Sequence, residues 1–246
     1  MQALILAGGA GTRLRAVLAQ LNKPMAPVAG RPFLEYLFLQ LTKHKVEEVI
    51  LCVGYKADLI QSYFGTGDRW GIQVSYSYET DFRGTAGALK LAENLIHEES
   101  FFVMNGDSLF DIELHTLMHY HRDMKALATL ALAYVDDSQR YGAVGLNEAG
   151  RIVSFIEKHR GNIEGLINGG VYVFSRRMLD FIPQGQPVSL ENDILPELLG
   201  QDLYGLPSKG YFIDIGVPTD YLRLQSNSIQ LLAAVDQGGT QHAYPR

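Results

Sequence analysis

Cysteine is nearly missing from this 246-residue chain, with Cys52 its one example. A lone thiol excludes an internal disulfide and predicts a reducing, cytoplasmic setting. Its place in the apolar run Val49-Ile50-Leu51-Cys52-Val53 assigns it to the core rather than to catalysis. Long apolar runs are also absent: none approaches the roughly 20 residues that a membrane-crossing helix needs. The first apolar run stops at Gly8 with no basic lead-in, which predicts no secretion signal. Positive charge is in deficit, with a net charge of −6. That excludes a broad nucleic-acid-binding face but leaves room for a locally basic nucleotide pocket. Internal repeats, low-complexity tracts and linkers are lacking as well. With 47% hydrophobic and 20% charged residues, the chain has the balance of a globular protein. The length suits one α/β domain over residues 1–235, followed by a loose tail at 236–246 that has no periodicity.

Two common phosphate-binding strings are missing too. No G-x-x-x-x-G-K-[ST] occurs. The near match to G-x-G-x-x-G fails because Leu14 stands where the third glycine belongs. What the chain has instead is an apolar strand running through Leu6 into Gly8, Gly9 and Gly11, then Thr12, Arg13 and Leu14. Lys23 follows in a proline frame, Lys23-Pro24-Met25-Ala26-Pro27-Val28. Glycines without a Cβ let backbone amides close on an anion, and two cations complete a cradle for a triphosphate.

Periodicity predicts strands at 3–7, 49–53, 74–78 and 101–104, with helices Phe33–Lys43, Ala57–Phe64 and 86–95 between them. Strand–helix–strand order implies a parallel sheet with helices on both faces, and ligands collect at the carboxyl ends of such strands. Gly8 and Asp107 both lie just past such ends and are expected to share one crevice. The second half predicts strands at 128–135, 143–146, 152–156, 170–174 and 210–213. Helices are expected at 175–182, 192–199 and 221–235. His115, His119 and His121 fall on a surface helix without a partner motif, so zinc is not expected there.

The string Gly8-Gly9-Ala10-Gly11-Thr12-Arg13-Leu14 followed by Lys23-Pro24-Met25-Ala26-Pro27 resembles the signature of sugar-phosphate nucleotidyltransferases. The resemblance implies a Rossmann-like, mostly parallel mixed sheet flanked by helices, the GT-A-like fold of nucleotide-diphospho-sugar transferases. It also implies the reaction: a sugar 1-phosphate oxygen attacks the α-phosphorus of a nucleoside triphosphate and pyrophosphate leaves. Magnesium is the implied cofactor, with Asp107 of Asn105-Gly106-Asp107 and Asp214 of Tyr211-Phe212-Ile213-Asp214 as its ligands. Asp220, by contrast, reads as a first-turn helix carboxylate. Arg13, Lys23 and Asp107 are the implied catalytic residues, Arg13 toward the departing pyrophosphate and Lys23 near the α-phosphate. Leu6, Gly8, Gly9, Gly11, Thr12, Glu79, Gly84 and Thr85 join them around the nucleotide. Tyr141, Gly142, Glu157, Lys158, Asn168 and Gly169 fall to the sugar phosphate, with Lys158 neutralising the incoming anion.

The base is read at Glu79, ahead of Gly84-Thr85-Ala86-Gly87. Guanine presents two adjacent donors on its pairing edge, and a carboxylate accepts both. Thymine and uracil put one donor between two acceptors, which an amide matches better. Arg83 stands where the family has leucine. Within the family, the strings Lys23-Pro24-Met25-Ala26-Pro27, Gly30-Arg31-Pro32-Phe33-Leu34-Glu35-Tyr36 and Phe212-Ile213-Asp214-Ile215-Gly216-Val217-Pro218 most resemble guanylyltransferases acting on D-glycero-α-D-manno-heptose 1-phosphate. Mannose 1-phosphate with GTP, a hexose 1-phosphate with UTP or dTTP, and a non-catalytic nucleotide-sugar sensor remain alternatives. The expected assembly is a homodimer, with no nucleic-acid or membrane partner.

Overall fold

The computed structural model describes residues 1–9, 11, 14, 22–135, 141, 143–156 and 165–236. Its strands are β1 (Gln2–Leu6), β2 (Pro27–Val28), β3 (Arg31–Pro32), β4 (Glu48–Val53), β5 (Gln73–Tyr78), β6 (Ser100–Asn105) and β7 (Ser108–Phe110). The second half adds β8 (Ala128–Val135), β9 (Ala143–Leu146), β10 (Ile152–Ile156), β11 (Gly165–Ser175), β12 (Leu203–Ser208) and β13 (Phe212–Asp214). The helices are α1 (Phe33–Lys43), α2 (Ala57–Phe64), α3 (Gly84–Leu91), α4 (Leu114–Asp123), α5 (Leu195–Glu197), α6 (Pro218–Ser226) and α7 (Ile229–Asp236).

Seven strands form the central sheet in the order β12-β8-β11-β6-β1-β4-β5. The β5, β4, β1 and β6 neighbours are parallel, and β11 runs antiparallel to both β6 and β8. The sheet is therefore mixed, as the resemblance implies. Central strands here are apolar on both sides because both faces are covered. The period of two sorts them: Ala3 and Ile5 enter one core, and Leu4 enters the other. The first core receives α1, α2, α4, α6 and α7, and the second receives α3 and the 175–198 region. Cys52 is wholly buried in the second core.

Helix α1 buries Phe33, Leu34, Tyr36, Leu37, Phe38 and Leu41. Phe38, Phe64 and Trp70 pack with ring centroids 4.4–5.2 Å apart, fixing α2 and the 68–70 turn on α1. Four expectations are corrected. The closing helix of 221–235 is two helices, α6 and α7, broken where Asn227 leaves helical geometry (φ −144°, ψ 80°). The strand expected at 210–213 sits at β13, and β12 lies before it. The helix expected at 192–199 is a π-type turn, Leu190–Ile194, followed by the short α5. Within α4, His121 turns inward rather than lying on the surface. It is 2% exposed, with Nδ1 2.9 Å from Thr129 Oγ1.

Candidate active site

Strands β1, β4, β5 and β6 run in one direction, so their carboxyl ends share one edge of the sheet. Leu6 pairs with Asn105, which sets the glycine loop beside Asn105-Gly106-Asp107. From the next two strands come Gly54 and Glu79. Together these ends open onto a cleft of ≈ 450 Å³, a size that suits a small-molecule site. The predicted nucleotide residues Leu6, Gly8, Gly9, Gly11, Lys23, Glu79, Gly84, Thr85 and Asp107 all line it. Thr12 and Arg13 lie outside the described residues.

Local sequence explains the shape of this wall. Gly11 has φ +56°, and a Cβ there would stand 3.2 Å from Lys23 Cβ, so the loop can pack onto Lys23 only as glycine. A Cβ on Gly8 would overlap the Glu79 carboxylate. Lys23 is fixed by a 3-10 turn with Pro24 in its first positions. Its side chain is nearly buried, and Nζ donates to Asp107 Oδ2 at 2.6 Å. The same frame is tied to α6, whose Tyr221 hydroxyl donates to Pro27 O at 2.8 Å.

Asp214 reaches Asp107 through a different device. Strands β7 and β13 pair antiparallel with Asp214 opposite Ser108, and Ile215 N donates to Asp107 O at 3.0 Å. The Asp214 carboxylate accepts the Gly216 amide. Burial and then the Asp107 charge push its pKa up to about 6, with the Gly216 amide and Lys23 opposing. Two carboxylates so placed repel each other, and a divalent cation between them and a phosphate chain would relieve that repulsion. Among the described residues no group of three or more metal-ligating side chains is found. Asp107 and Asp214 would supply carboxylate oxygens to such an ion. The residues present fit it.

Glu79 is half-buried against the glycine loop and accepts from Arg83 N at 3.3 Å. Burial raises its pKa, and the Arg83 amide and charge partly offset that. Thr85 turns its hydroxyl outward from the helix start, donating to Glu191 at 2.7 Å and accepting from Leu190 N at 2.7 Å. This brings Ser189, Glu191 and Asn192 into the cleft wall. Sequence reasoning missed these three, since nothing local marks a turn some hundred residues away from its partner. It also missed Phe82 and the floor residue Asn105, although Asn105 lay in the motif already singled out.

The sugar-phosphate set is only partly gathered. Gly142, Glu157 and Lys158 lie outside the described residues. Tyr141 packs edge-on against Phe212 with centroids 5.6 Å apart, close to β13. Asn168 donates through Nδ2 to the Tyr172 hydroxyl at 2.8 Å and accepts from Gly170 N at 3.0 Å. Its carboxamide therefore builds the bulge where β11 changes register between Asn168 and Tyr172. At Gly169 a Cβ would meet Phe110 at 2.5 Å and Ala131 O at 3.0 Å. Tyr172, fully buried, also shares a hydrogen bond with Asn105, which links this bulge to the cleft floor.

The family model described as nucleotidyl transferase matches residues 2–230. The chain is 42% identical over 226 residues to a D-glycero-alpha-D-manno-heptose 1-phosphate guanylyltransferase of Aneurinibacillus thermoaerophilus, covering 92% of this chain and 97% of that protein. It is 36% identical to a mannose-1-phosphate guanylyltransferase of Mycobacterium tuberculosis, covering 95% of this chain and 66% of that longer protein. Among solved structures, HddC from Yersinia pseudotuberculosis complexed with GMP-PN superposes with a TM-score of 0.82 at 32% identity, covering 92% of this chain and 99% of that one.

Proposed function

The chain belongs to the nucleotidyl transferase family, and from that premise we propose that it transfers GMP from GTP to D-glycero-α-D-manno-heptose 1-phosphate, releasing pyrophosphate. The observation that carries the reading is the meeting of Lys23, Asp107 and Asp214 beside a glycine loop whose other wall is Glu79. The choice of guanine rests on Glu79 and on two relatives named as guanylyltransferases. The choice of heptose rests on the 42% relative, whose length this chain nearly matches.

In this reading the amides of the glycine loop, with Thr12 and Arg13, hold the triphosphate. Glu79 accepts the two donors on guanine's edge. Lys23 neutralises charge near the α-phosphate, and Asp107 and Asp214 hold a magnesium ion. When bound, that ion supplies charge neutralisation for two approaching phosphates. The Lys23–Asp107 ion pair presets the position of both side chains before substrate arrives. Gly216 orients one oxygen of Asp214 and leaves the other for a ligand. Tyr141, Gly142, Glu157, Lys158, Asn168 and Gly169 receive the sugar phosphate for attack on the α-phosphorus with departure of pyrophosphate.

Pyrophosphate release with magnesium tests this, using GTP, UTP, CTP, ATP and dTTP against heptose, mannose and glucose 1-phosphates. Release confined to GTP with the manno-heptose phosphate is expected. Preference for mannose 1-phosphate would replace the sugar, preference for UTP or dTTP would overturn the base assignment, and silence throughout would overturn catalysis.

A further inference from the structure

We propose that Phe82 is a nucleotide-binding residue whose ring stacks on the face of the base, so that edge and face of one heterocycle are read by two neighbouring side chains. The inference rests on Glu79 as the partner of the base edge. Phe82 is 77% exposed, more than any other large apolar side chain among the described residues. Yet it lies on the wall of the cleft, three residues beyond Glu79.

The segment that presents it is held at several points. Arg83 N donates to Glu79 Oε2 at 3.3 Å, Val188 N donates to Arg83 O at 2.9 Å, and Arg83 Nη1 donates to Gly185 O at 3.0 Å. A pinned backbone with an uncovered aromatic ring at a cleft mouth leaves apolar surface for an incoming flat ligand to remove from water. Gly8, Gly84 and Ala88, which carry almost no side chain, line the same cleft. An aromatic face suits any base, and stacking adds affinity without choosing among hydrogen-bond patterns. Glu79 supplies the choice and Phe82 the grip. Arg83 is then a positioning residue: its guanidinium ties the Phe82 segment to the 185–188 strip.

Steady-state pyrophosphate release is measured for the wild type, Phe82→Ala and Phe82→Tyr, varying each substrate in turn. The alanine variant is expected to raise KM for GTP about tenfold, within the span that removal of a base-stacking aromatic produces. Its kcat and its KM for the sugar phosphate should stay at wild-type values, and tyrosine should restore KM. An alanine variant with wild-type KM for the triphosphate the enzyme uses overturns the proposal. So does one whose oligomeric state changes while KM does not, since the ring would then serve a protein contact.

Binding is read separately from turnover by Phe82→Trp emission on addition of a non-hydrolysable GTP analogue, with the wild type, whose Trp70 is buried in the core, as control. Quenching in the variant alone supports stacking even if turnover fails, which would count against the enzymatic reading only. Turnover with no change in the emission of the indole introduced at position 82 overturns stacking while leaving the enzyme assignment in place.

Discussion

Two walls that meet at Asp107 are built by opposite strand geometries, and they differ in what they offer a ligand. On one wall β1, β4, β5 and β6 run parallel and end together, so the site is made of loops just past strand ends: the glycine loop, Glu79 and Asp107, with Gly54 packed behind Gly8 and Glu79. Backbone amides and small residues dominate there, with one lysine and one glutamate set among them. The other wall lies beside that cleft rather than lining it, and its groups come from antiparallel pairing. Asp214 arrives on the β7–β13 ladder, and Asn168 sits in a bulge of β11 against β8. Side chains on that wall are already held, as Asn168 is by the Tyr172 hydroxyl and the Gly170 backbone amide. The parallel wall is an open cradle, and the antiparallel wall is a braced frame. A cradle suits a triphosphate that must bind and release. A frame suits an acceptor that must be held to one angle.

The largest effect should come where the walls meet. Asp107→Asn and Asp214→Asn are each expected to lower pyrophosphate release about a hundred- to thousand-fold, as loss of a transition-state charge partner does. Each should keep its circular dichroism spectrum. Full activity in either variant removes that carboxylate from the reaction.

Glycine replacements separate the walls. At Gly84, with φ +69°, a Cβ would run into the Val188 carbonyl, and at Gly169 a Cβ would meet Phe110 and Ala131. Alanine at either is expected to cost about 2 kcal/mol in denaturant melts. Gly84→Ala should also raise KM for the triphosphate, and Gly169→Ala that for the sugar phosphate. Equal effects on both KM values in both variants would dissolve the distinction.

The two carboxylates also predict a pH signature. Asp214 has its pKa raised from 3.8 to about 6 by burial and by Asp107. Between those values the folded protein keeps a proton that the unfolded chain has lost, so this group's stabilisation is complete below 3.8 and is lost as pH rises through 6. Asp214→Asn should therefore be more stable than the metal-free wild type at neutral pH, by up to about 3 kcal/mol in denaturant melts. The difference should fade as pH falls toward the ordinary carboxylate range. A difference independent of pH would contradict the buried-pair account.

Legibility followed the same division. Each segment of the parallel wall carries its own local signal, a strand ending in glycine, and parallel strands bring such ends together, so Gly8 and Asp107 could be placed in one crevice from pattern alone. Asp214 was legible only through the family motif, because the pairing that carries it to Asp107 joins segments about a hundred residues apart. Ser189, Glu191 and Asn192 had no local signal, since Thr85 recruits them across a similar distance. Strand β12 hid behind Gly205 and Pro207, which the edge of a sheet tolerates and a central strand would not. The break between α6 and α7 falls at Ser226-Asn227-Ser228, small polar residues that compete for backbone hydrogen bonds and interrupt an otherwise continuous apolar spacing.

The division of labour between the walls is tested most directly by the two KM values of Glu79→Gln, measured by pyrophosphate release with GTP and the manno-heptose 1-phosphate. The account predicts a KM for GTP raised about tenfold, the size of one lost charge-assisted hydrogen bond, with KM for the sugar phosphate unchanged. A variant in which both KM values rise together, or neither moves, would contradict it.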